Sequence, residues 1–332
     1  MRAVTFADGA LTVAERPIPA PRPGHVTVAV HGAGLNRADL IQRMGLYPAP
    51  PDVPADIPGL EFAGVVHACA PDVDQPRPGD AVMGIAGGGS QAEYVEVPAA
   101  HCVRVPDGLD LVAMGGIPEA FITAHDAMVT QGRVQSDEWV LVHAVGSGVG
   151  TAAVQLAHAL GAKVVGTART ESKLTRCAGL GLTHGILTPT TTDGALDVLG
   201  LTTAITDATD GGVDVVLDLA GGSYVEVDVL AAAPRGRIVL IGTMAGGRAE
   251  LQVLAVMSKR LQLIGTVLRS RDTDEKADAT NAFARDVVPL LASKRLEPVV
   301  ERVIPLAGAE DAYELLGSDA TFGKVILDCR AT

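Results

Sequence analysis

The stretch WVLVHAVGSGVGTAAVQLAHALGAKVVGTARTESK, residues 139–173, constrains the fold more than any other part of the chain. It opens with an apolar run of the length typical of a buried strand, and a glycine-rich turn follows. Apolar residues then recur at helical spacing up to residue 160. A second apolar run, KVVGTA, comes next. This strand–turn–helix–strand order predicts a parallel βαβ unit.

The glycine turn predicts an anion site. A turn between a strand and a helix offers unpaired backbone N–H groups and the positive end of the helix dipole. Glycine is suited to it because a Cβ would block the close approach of phosphate or of helix to strand. The pattern is not a strict GxGxxG, since its sixth position is Thr151, so its context carries the prediction. We expect a dinucleotide pyrophosphate at Gly146, Ser147, Gly148 and Val149; a glycine-rich connection without a ligand is the alternative.

The residues after the second strand predict which dinucleotide is bound. An NAD enzyme usually carries an acid there for the ribose hydroxyls, whereas a 2′-phosphate is attracted by arginine or lysine. Here the strand ends at Arg169, and Lys173 follows four residues later. Glu171 already lies in the next turn. The sequence therefore favours NADPH over NADH. The alternative is that Arg169 and Lys173 are only solvent-exposed side chains at the start of the next helix.

Two different sequence patterns along the chain predict two domains. Residues 1–120 are short alternating runs cut by proline and glycine, which is typical of short strands with long loops. From residue 121 strands alternate with helices, including a helix at 193–209 and a last strand at 261–268. After a helix at 275–294, the pattern of short strands seen in residues 1–120 resumes. We predict an α/β chain: a strand-rich domain of residues 1–120 and 295–332, and a doubly wound parallel-sheet domain of residues 121–294.

Composition excludes several classes of function. The net charge is −13 and no basic run occurs, which argues against nucleic-acid or anionic-membrane binding. No apolar stretch reaches the roughly 18 residues that predict a membrane span, and the N-terminus lacks the build of a secretory signal. The four cysteines are far apart and form no Cys-x-x-Cys, so neither a disulfide framework nor a structural zinc lobe is expected. A reduced, cytoplasmic setting fits these features best.

Six segments in the same order resemble one family. They are NRADLIQRMGLYPAPP, PGLEFAG, GGGSQAEYVEVP, IPEAFITA, GSGVGTAAVQLA and LRSRD. Together they resemble the zinc-independent, zeta-crystallin-like quinone oxidoreductases of the medium-chain dehydrogenase/reductase superfamily, closest to the tumour-suppressor-inducible NADPH quinone oxidoreductases. The resemblance implies a GroES-like domain holding both chain ends and a Rossmann domain between them. It also implies NADPH as cofactor, a quinone or other conjugated carbonyl as substrate, and a homodimer paired through the strand at 261–268.

The resemblance also implies a set of site residues. Asn36 and Tyr47 match positions that line the nicotinamide and the substrate, where an amide can bond an oxygen and a phenol can donate a proton. A turn residue and a packed loop aromatic are the respective alternatives. The other positions matching cofactor contacts are Thr123, Gly242, Thr243, Met244, Arg269, Ser270, Arg271 and Lys324. For residues 269–271 the alternative is a set of charges on an edge strand.

Two departures from related proteins bear on function. Zinc-dependent relatives carry a cysteine at the position of Asn36 and a histidine at that of Leu60. Neither replacement can serve as one of the roughly three protein ligands that zinc needs, so we expect no metal, and Glu61 is interpreted as a structural acid. The branch also tends to have an Asn-Tyr pair where this chain has Leu187-Thr188, so one contact to the adenosine phosphate could be missing.

The expected function is NADPH-dependent, zinc-independent reduction of quinones by hydride transfer. An enoyl-thioester or enone reductase of the same superfamily is the nearest alternative. A non-catalytic NADPH-binding protein is the alternative from another class.

Overall fold

A computed structural model describes residues 1–7, 9–51 and 53–330 of the chain. These residues form two compact units. Unit 1 runs from Met1 to Ile122 and resumes at Leu268, and unit 2 runs from Thr123 to Val267. The predicted domain division at residues 120/121 and 294/295 stays a prediction; residues 268–294 pack with unit 1. Within the described part of the chain, no helix is both long and apolar enough to span a bilayer.

The strands are numbered in chain order. They are β1 Arg2–Ala7, β2 Ala10–Glu15, β3 His25–Gly34, β4 Glu61–Cys69, β5 Ala81–Ile85, β6 Tyr94–Pro98, β7 Cys102–Arg104, β8 Trp139–Val142, β9 Lys163–Ala168, β10 His184–Leu187, β11 Val213–Asp218, β12 Ala232–Leu240, β13 Gln262–Gly265, β14 Val300–Pro305 and β15 Lys324–Asp328.

The α-helices are numbered in the same way. They are α1 Arg37–Arg43, α2 Leu111–Met114, α3 Pro118–His125, α4 Gly148–Ala159, α5 Glu171–Ala178, α6 Val198–Ala208, α7 Tyr224–Ala231, α8 Val253–Lys259, α9 Thr273–Asp286, α10 Val288–Ala292 and α11 Ala309–Gly317. A π-helical segment, Asp126–Gln131, continues α3.

Unit 1 is built on a largely antiparallel sheet that joins the two ends of the chain. Its strand order is β14-β15-β3-β4-β5-β7, with β6 also paired to β3, and only β14 and β15 run parallel. The sheet buries apolar residues such as Val28, Phe62 and Val325. Because β15 pairs with β3, Lys324 at the start of β15 lies in the same sheet as the strand that leads to Asn36.

Unit 2 is built on a parallel six-stranded sheet. Its strand order is β10-β9-β8-β11-β12-β13, and every neighbouring pair is parallel. The chain leaves β8 toward β9 on one side and returns at β11 on the other, so the strand order reverses between β8 and β11. Ligands of doubly wound sheets bind at the carboxyl ends of the strands beside such a reversal. The predicted α/β class with a doubly wound sheet is confirmed.

Three predicted elements are shorter than expected, each for a local reason. The helix predicted at 275–294 is interrupted near residue 287, because Pro289 begins a second helix and cannot donate a backbone bond to a continuing first one. The helix predicted at 193–209 begins only after Asp197, whose side chain accepts from the N–H of Gly200. The last strand ends at Gly265, so residues 269–271 lie in a turn, and their alternative interpretation as edge-strand charges is wrong.

Candidate functional site

The glycine turn of unit 2 joins β8 to α4. Ser147 is the N-cap of α4, and its hydroxyl accepts a hydrogen bond from the N–H of Gly150 at 3.0 Å. Among the described residues, no partner is found for the N–H groups of Gly146, Gly148 and Val149. Three donors are thus available at the N-terminus of a 12-residue helix, where the dipole favours an anion.

Two glycines of the turn are required by close contacts. A Cβ on Gly150 would lie 2.5 Å from the carbonyl oxygen of Ala144 and 2.7 Å from that of Val145. A Cβ on Gly146 would lie 2.7 Å from Cδ of Lys173. The stem of Lys173, from the first turn of α5, therefore passes directly over Gly146. The structure thus brings together the turn and one of the two cations that the sequence predicted to act with it.

The second predicted cation, Arg169, directly follows β9 at the carboxyl edge of the sheet and is exposed. β9 pairs with β8, so Arg169 and the glycine turn lie at the same edge. The phenol of Tyr224 lies close by: burial raises its pKa, whereas a hydrogen bond with Thr188 and the charge of Arg169 act to lower it. Sequence reasoning missed Tyr224, because nothing in the helical pattern around it indicates which strand ends it faces. A phenol from α7 thus lies beside Thr188, where related proteins carry their Asn-Tyr pair.

A buried polar group lies beneath the turn. His143 bonds the hydroxyl of Thr167 at 2.9 Å through Nδ1 and a carboxylate oxygen of Asp228 at 2.8 Å through Nε2. Its ring also meets that of Tyr224 edge-to-face, 4.7 Å between centroids. Burial lowers the pKa of His143 to about 4, so the imidazole is neutral at pH 7. This group links the residue after β8 to β9 and α7.

The remaining predicted residues of unit 2 lie near other strand ends. Gly242 and Thr243 follow β12 and pack on the turn after β11, where a Cβ on Gly221 would lie 2.8 Å from the carbonyl oxygen of Gly242. Met244 is 53% exposed, which leaves its side chain accessible. Thr123 lies half-buried on α3 at the start of unit 2. Their contacts with a cofactor stay predictions.

In unit 1, Asn36 belongs to a buried charged group with Glu61 and Lys324. The Asn36 amide donates to the carboxylate of Glu61 at 3.1 Å and to the carbonyl of Gly34 at 3.3 Å. Its oxygen accepts from Nζ of Lys324 at 2.8 Å. Both amide hydrogens are therefore used.

Lys324 is bound entirely within unit 1. Its ammonium lies 2.5 Å from Glu61, 2.8 Å from the Asn36 oxygen and 2.7 Å from the carbonyl of Leu35. An ammonium has three donors, so each has a partner. The side chains of Glu61 and Lys324 are 0% and 6% exposed. Glu61 is thus a hydrogen-bonded acid with an organic counter-ion, and the predicted contact of Lys324 with a 2′-phosphate stays a prediction.

Asn36 and Leu60 stand where the family resemblance implies the metal ligands of zinc-dependent relatives. Asn36 is hydrogen-bonded on both sides of its amide, and Leu60 is buried and apolar. A lysine ammonium already compensates Glu61. No group of three or more histidine, cysteine, aspartate or glutamate side chains suited to a metal occurs in residues 1–7, 9–51 and 53–330. The residues present do not fit a zinc ion, so no chemical step is assigned to one.

Two further carboxyl groups lie near this pair. Asp39 accepts from the backbone N–H of Asn36 at 2.8 Å and from the amide of Gln91 at 3.1 Å, and burial raises its pKa to about 6. Glu119, at the start of α3, donates its own backbone N–H to Glu61 at 2.9 Å. Burial, and secondarily the charge of Glu61, raises the pKa of the Glu119 side chain to about 8. Part of this site is therefore protonated at neutral pH.

Tyr47 lies half-buried in the proline-rich loop, residues 45–59, and Arg269 lies against its ring. The guanidinium carbon is 4.8 Å from the ring centroid, and Nη1 donates to the Tyr47 carbonyl at 3.3 Å. Burial raises the pKa of the phenol, and the Arg269 charge acts against this. Ser270 is exposed and Arg271 is half-buried in the same turn, and their predicted contacts with a cofactor stay untested.

Comparison with known proteins identifies the family. The profile described as alcohol dehydrogenase GroES-like domain matches residues 22–107, and that described as zinc-binding dehydrogenase matches residues 148–285. Human quinone oxidoreductase is 30% identical over 321 residues, which cover 93% of this chain and 91% of that protein. The chain belongs to the medium-chain dehydrogenase/reductase superfamily. The predicted GroES-like and Rossmann pairing is thereby confirmed, whereas the branch within the superfamily stays a prediction.

Two solved structures of this superfamily are similar over nearly the whole chain. Escherichia coli quinone oxidoreductase complexed with NADPH has a TM-score of 0.87 and 25% identity, covering 99% of this chain and all of that one. An NAD-dependent alcohol dehydrogenase has a TM-score of 0.83 and 31% identity, covering 99% of each chain. The first is a complex with NADPH, and the second protein is described as NAD-dependent. The chain is therefore an oxidoreductase of this superfamily, and a pyridine nucleotide is its expected cofactor.

Proposed function

We propose that this protein is a zinc-independent, NADPH-dependent reductase that transfers hydride to quinones. The observation that carries the proposal is the cradle at the start of α4. There the N–H groups of Gly146, Gly148 and Val149 have no partner among the described residues, and Lys173 crosses the turn. A diphosphate supplies the acceptors that such a cradle lacks.

The choice of NADPH rests on the end of β9. Arg169 follows the strand, no acid stands there, and a planar guanidinium suits a phosphate dianion. We expect Arg169→Glu to raise the Kd of NADPH about 10- to 100-fold, the value of a lost charge-assisted hydrogen bond. The Kd of NADH should change less than about threefold. Arg176→Glu, an exposed reversal further along α5, is the matched control.

Fluorescence titration with both dinucleotides measures these constants. Equal losses for NADPH and NADH would contradict the assignment of the 2′-phosphate to Arg169. If the unaltered protein takes up neither dinucleotide saturably, the proposal as a whole fails.

The protein's own groups suit a reaction with modest proton demands. NADPH, when bound, would supply the hydride. The Tyr47 phenol can donate to the oxygen of an acceptor. The nearby charges are compensated without a metal, through the Lys324–Glu61 pair. These residues position and protonate, and none is required as a nucleophile.

The acceptor class is decided by a direct comparison of substrates. NADPH oxidation is followed with a small para- or ortho-quinone and, separately, with a crotonyl thioester. Faster turnover of the quinone supports the proposal, and faster turnover of the thioester assigns the protein to the enoyl-thioester reductases instead. Tight NADPH binding without oxidation by any acceptor would indicate a non-catalytic role.

We also propose a homodimer formed through β13 in the cytoplasm. β13 is the edge strand of the sheet of unit 2 and carries the exposed Leu263, and α8 presents exposed Leu254 and Met257. An apolar edge of this kind is usually covered. The four cysteines are all free thiols, as in a reducing compartment. Light scattering of Leu263→Lys should give the monomer mass if this edge forms the dimer, whereas an unchanged dimer would contradict it.

A further inference from the structure

The side chain of Arg269 is directed into unit 1, although its position in the chain suggested a contact with cofactor. Arg269 follows Leu268 in the turn before α9 and is only 5% exposed. Its Nη2 donates to the side-chain oxygen of Gln42 at 2.7 Å, and its Nε donates to the carbonyl of Gly87 at 2.8 Å. One guanidinium therefore joins helix α1 to the loop after β5.

The same guanidinium holds Tyr47 at two points. Nη1 donates to the Tyr47 carbonyl at 3.3 Å, and the planar cation lies 4.8 Å from the centre of the phenol ring. A cation at this distance from an aromatic face is attracted by the ring quadrupole. Main chain and ring of one residue are thus fixed by one partner, which restricts where the phenol oxygen can lie.

Tyr47 lies between the two anchored ends of its loop. Residues 45–59 include five prolines, and proline has no backbone N–H to donate. The described residues of the loop form neither helix nor strand. Backbone bonds hold the two ends of the loop: the N–H groups of Gly45 and Leu46 donate to preceding carbonyls, and the carbonyls of residues 56–58 accept from other segments. Between these ends, Arg269 donates to the carbonyl of Tyr47.

The charges around Arg269 fit an internal position. The carboxyl groups of Asp39 and Glu119 lie close enough to affect its pKa, as does the phenol of Tyr47. Burial lowers the pKa of Arg269, yet a guanidinium stays charged at any physiological pH. Arg269 thus supplies a permanent positive charge behind Tyr47, facing two buried acids.

We infer that Arg269 is a positioning residue that fixes the phenol of Tyr47 for proton donation to the acceptor, and that it does not bind the cofactor. This inference rests on the proposed function, since it concerns the proton donor of that reaction. Two measurements test it. One compares the effect of a substitution on kcat with its effect on the Kd of NADPH, and the other follows the rate at which the Tyr47 loop is cut by a protease.

The first experiment compares Arg269→Lys, Tyr47→Phe and the double variant with the unaltered protein. Lysine keeps the charge but cannot bond three separate acceptors in the plane of a guanidinium. We expect Arg269→Lys to lower kcat with a quinone about 3- to 10-fold, no more than the loss expected for Tyr47→Phe, while the Kd of NADPH changes less than twofold. In the Tyr47→Phe background, where no hydroxyl remains to be positioned, the same change should lower kcat less than twofold. Arg285→Met, an exposed arginine on α9 paired with Asp286, is the control.

Three outcomes overturn the inference. A large increase in the Kd of NADPH would make Arg269 a cofactor ligand. Additive losses of kcat in the double variant would show that Arg269 acts on turnover independently of the Tyr47 hydroxyl. Unchanged kcat in Arg269→Lys would show that the contacts with Tyr47 have no effect on the reaction.

The second experiment does not depend on activity, so it separates this inference from the proposed function. Limited proteolysis of the folded protein should cut residues 45–59 at least fivefold faster in Arg269→Lys and in Gln42→Met than in Arg285→Met. If quinone turnover is absent in the unaltered protein, the proposed function fails, and this rate still tests whether Arg269 orders the loop. Equal cleavage rates would show that it does not.

Discussion

Replacement of Lys324 by methionine tests the buried charged group of unit 1 directly. Methionine keeps much of the side-chain volume but removes a cation that pairs with Glu61 at 2.5 Å and bonds two further oxygens. Glu61 is fully buried and would keep only the donors from Asn36 and from the Glu119 backbone. A buried carboxylate would then lack its counter-ion.

The expected cost follows from the complete burial of Glu61. Removing one partner of a buried ion pair costs about 3–5 kcal/mol. We therefore expect Lys324→Met to lower the free energy of unfolding by about 3–5 kcal/mol at pH 7.

Urea denaturation of Lys324→Met and of Lys324→Met/Glu61→Gln provides the assay. It should be followed by circular dichroism, because the only tryptophan, Trp139, lies in unit 2 and does not report directly on unit 1. The double variant, which has no buried charge left unpaired, should recover most of the loss, and Arg104→Met on the exposed edge of β7 is the control. A stability loss below about 1 kcal/mol combined with a tenfold weaker NADPH affinity would refute this reasoning. It would support the contact with the 2′-phosphate that the family resemblance implied.

Three further predictions follow from the same structure. Gly150→Ala should destabilise the protein by about 1–3 kcal/mol in thermal melts, because the added Cβ would meet two backbone oxygens. Gly146→Ala should displace Lys173 and so weaken NADPH binding in titrations, with little loss of stability. Gly247→Ala, where an added Cβ meets open space, is the control for both. The folded chain holds extra protons on Asp39 and Glu119, with pKa values of about 6 and about 8, so stability should fall as pH rises from about 4.5 to 8. Glu119→Gln should flatten that fall and be more stable at pH 8 by on the order of 2 kcal/mol in urea denaturation; an unchanged slope would contradict it. Tyr47→Phe should lower kcat about tenfold, and a loss beyond roughly a thousandfold would make the phenol an obligatory acid.

The parts of the structure that could be predicted from sequence are those set by local periodicity. Strand β8, the glycine turn and helix α4 follow one another within about twenty-five residues of the chain. Their burial follows from the spacing of apolar residues in that short stretch. Arg169 and Lys173 lie one strand away from the turn, so the βαβ pattern alone predicts that they meet it. The contact of Lys173 with Gly146 follows from that pattern.

The buried groups of unit 1 could not be predicted in this way. Lys324 lies 288 residues from Asn36, and Arg269 lies 222 residues from Tyr47. Neither pair shares a helix face or a strand register that a pattern could reveal. Only the pairing of β15 with β3 brings Lys324 to Asn36, and only the path of the turn before α9 brings Arg269 to Tyr47. The family resemblance implied that these residues belong to the site, but it did not indicate the direction of their side chains.

The positions of the two buried cations suggest how a site of this superfamily is ordered where the side chains do not fit a zinc ion. A zinc ion would bind several side chains at once and so fix their positions. Here two organic cations serve that purpose: Lys324 joins β15, the residues before α1 and β4, and Arg269 joins α1, the Tyr47 loop and the loop after β5. Each is buried and each uses three donors, those of Lys324 on two other segments and those of Arg269 on three. Since α1 lies between them, with Asn36 at its start and Gln42 near its end, a change at either cation should be felt at the other. If so, the stability losses of Lys324→Met and Arg269→Lys will not add in the double variant, whereas independent sites would add within about 0.5 kcal/mol.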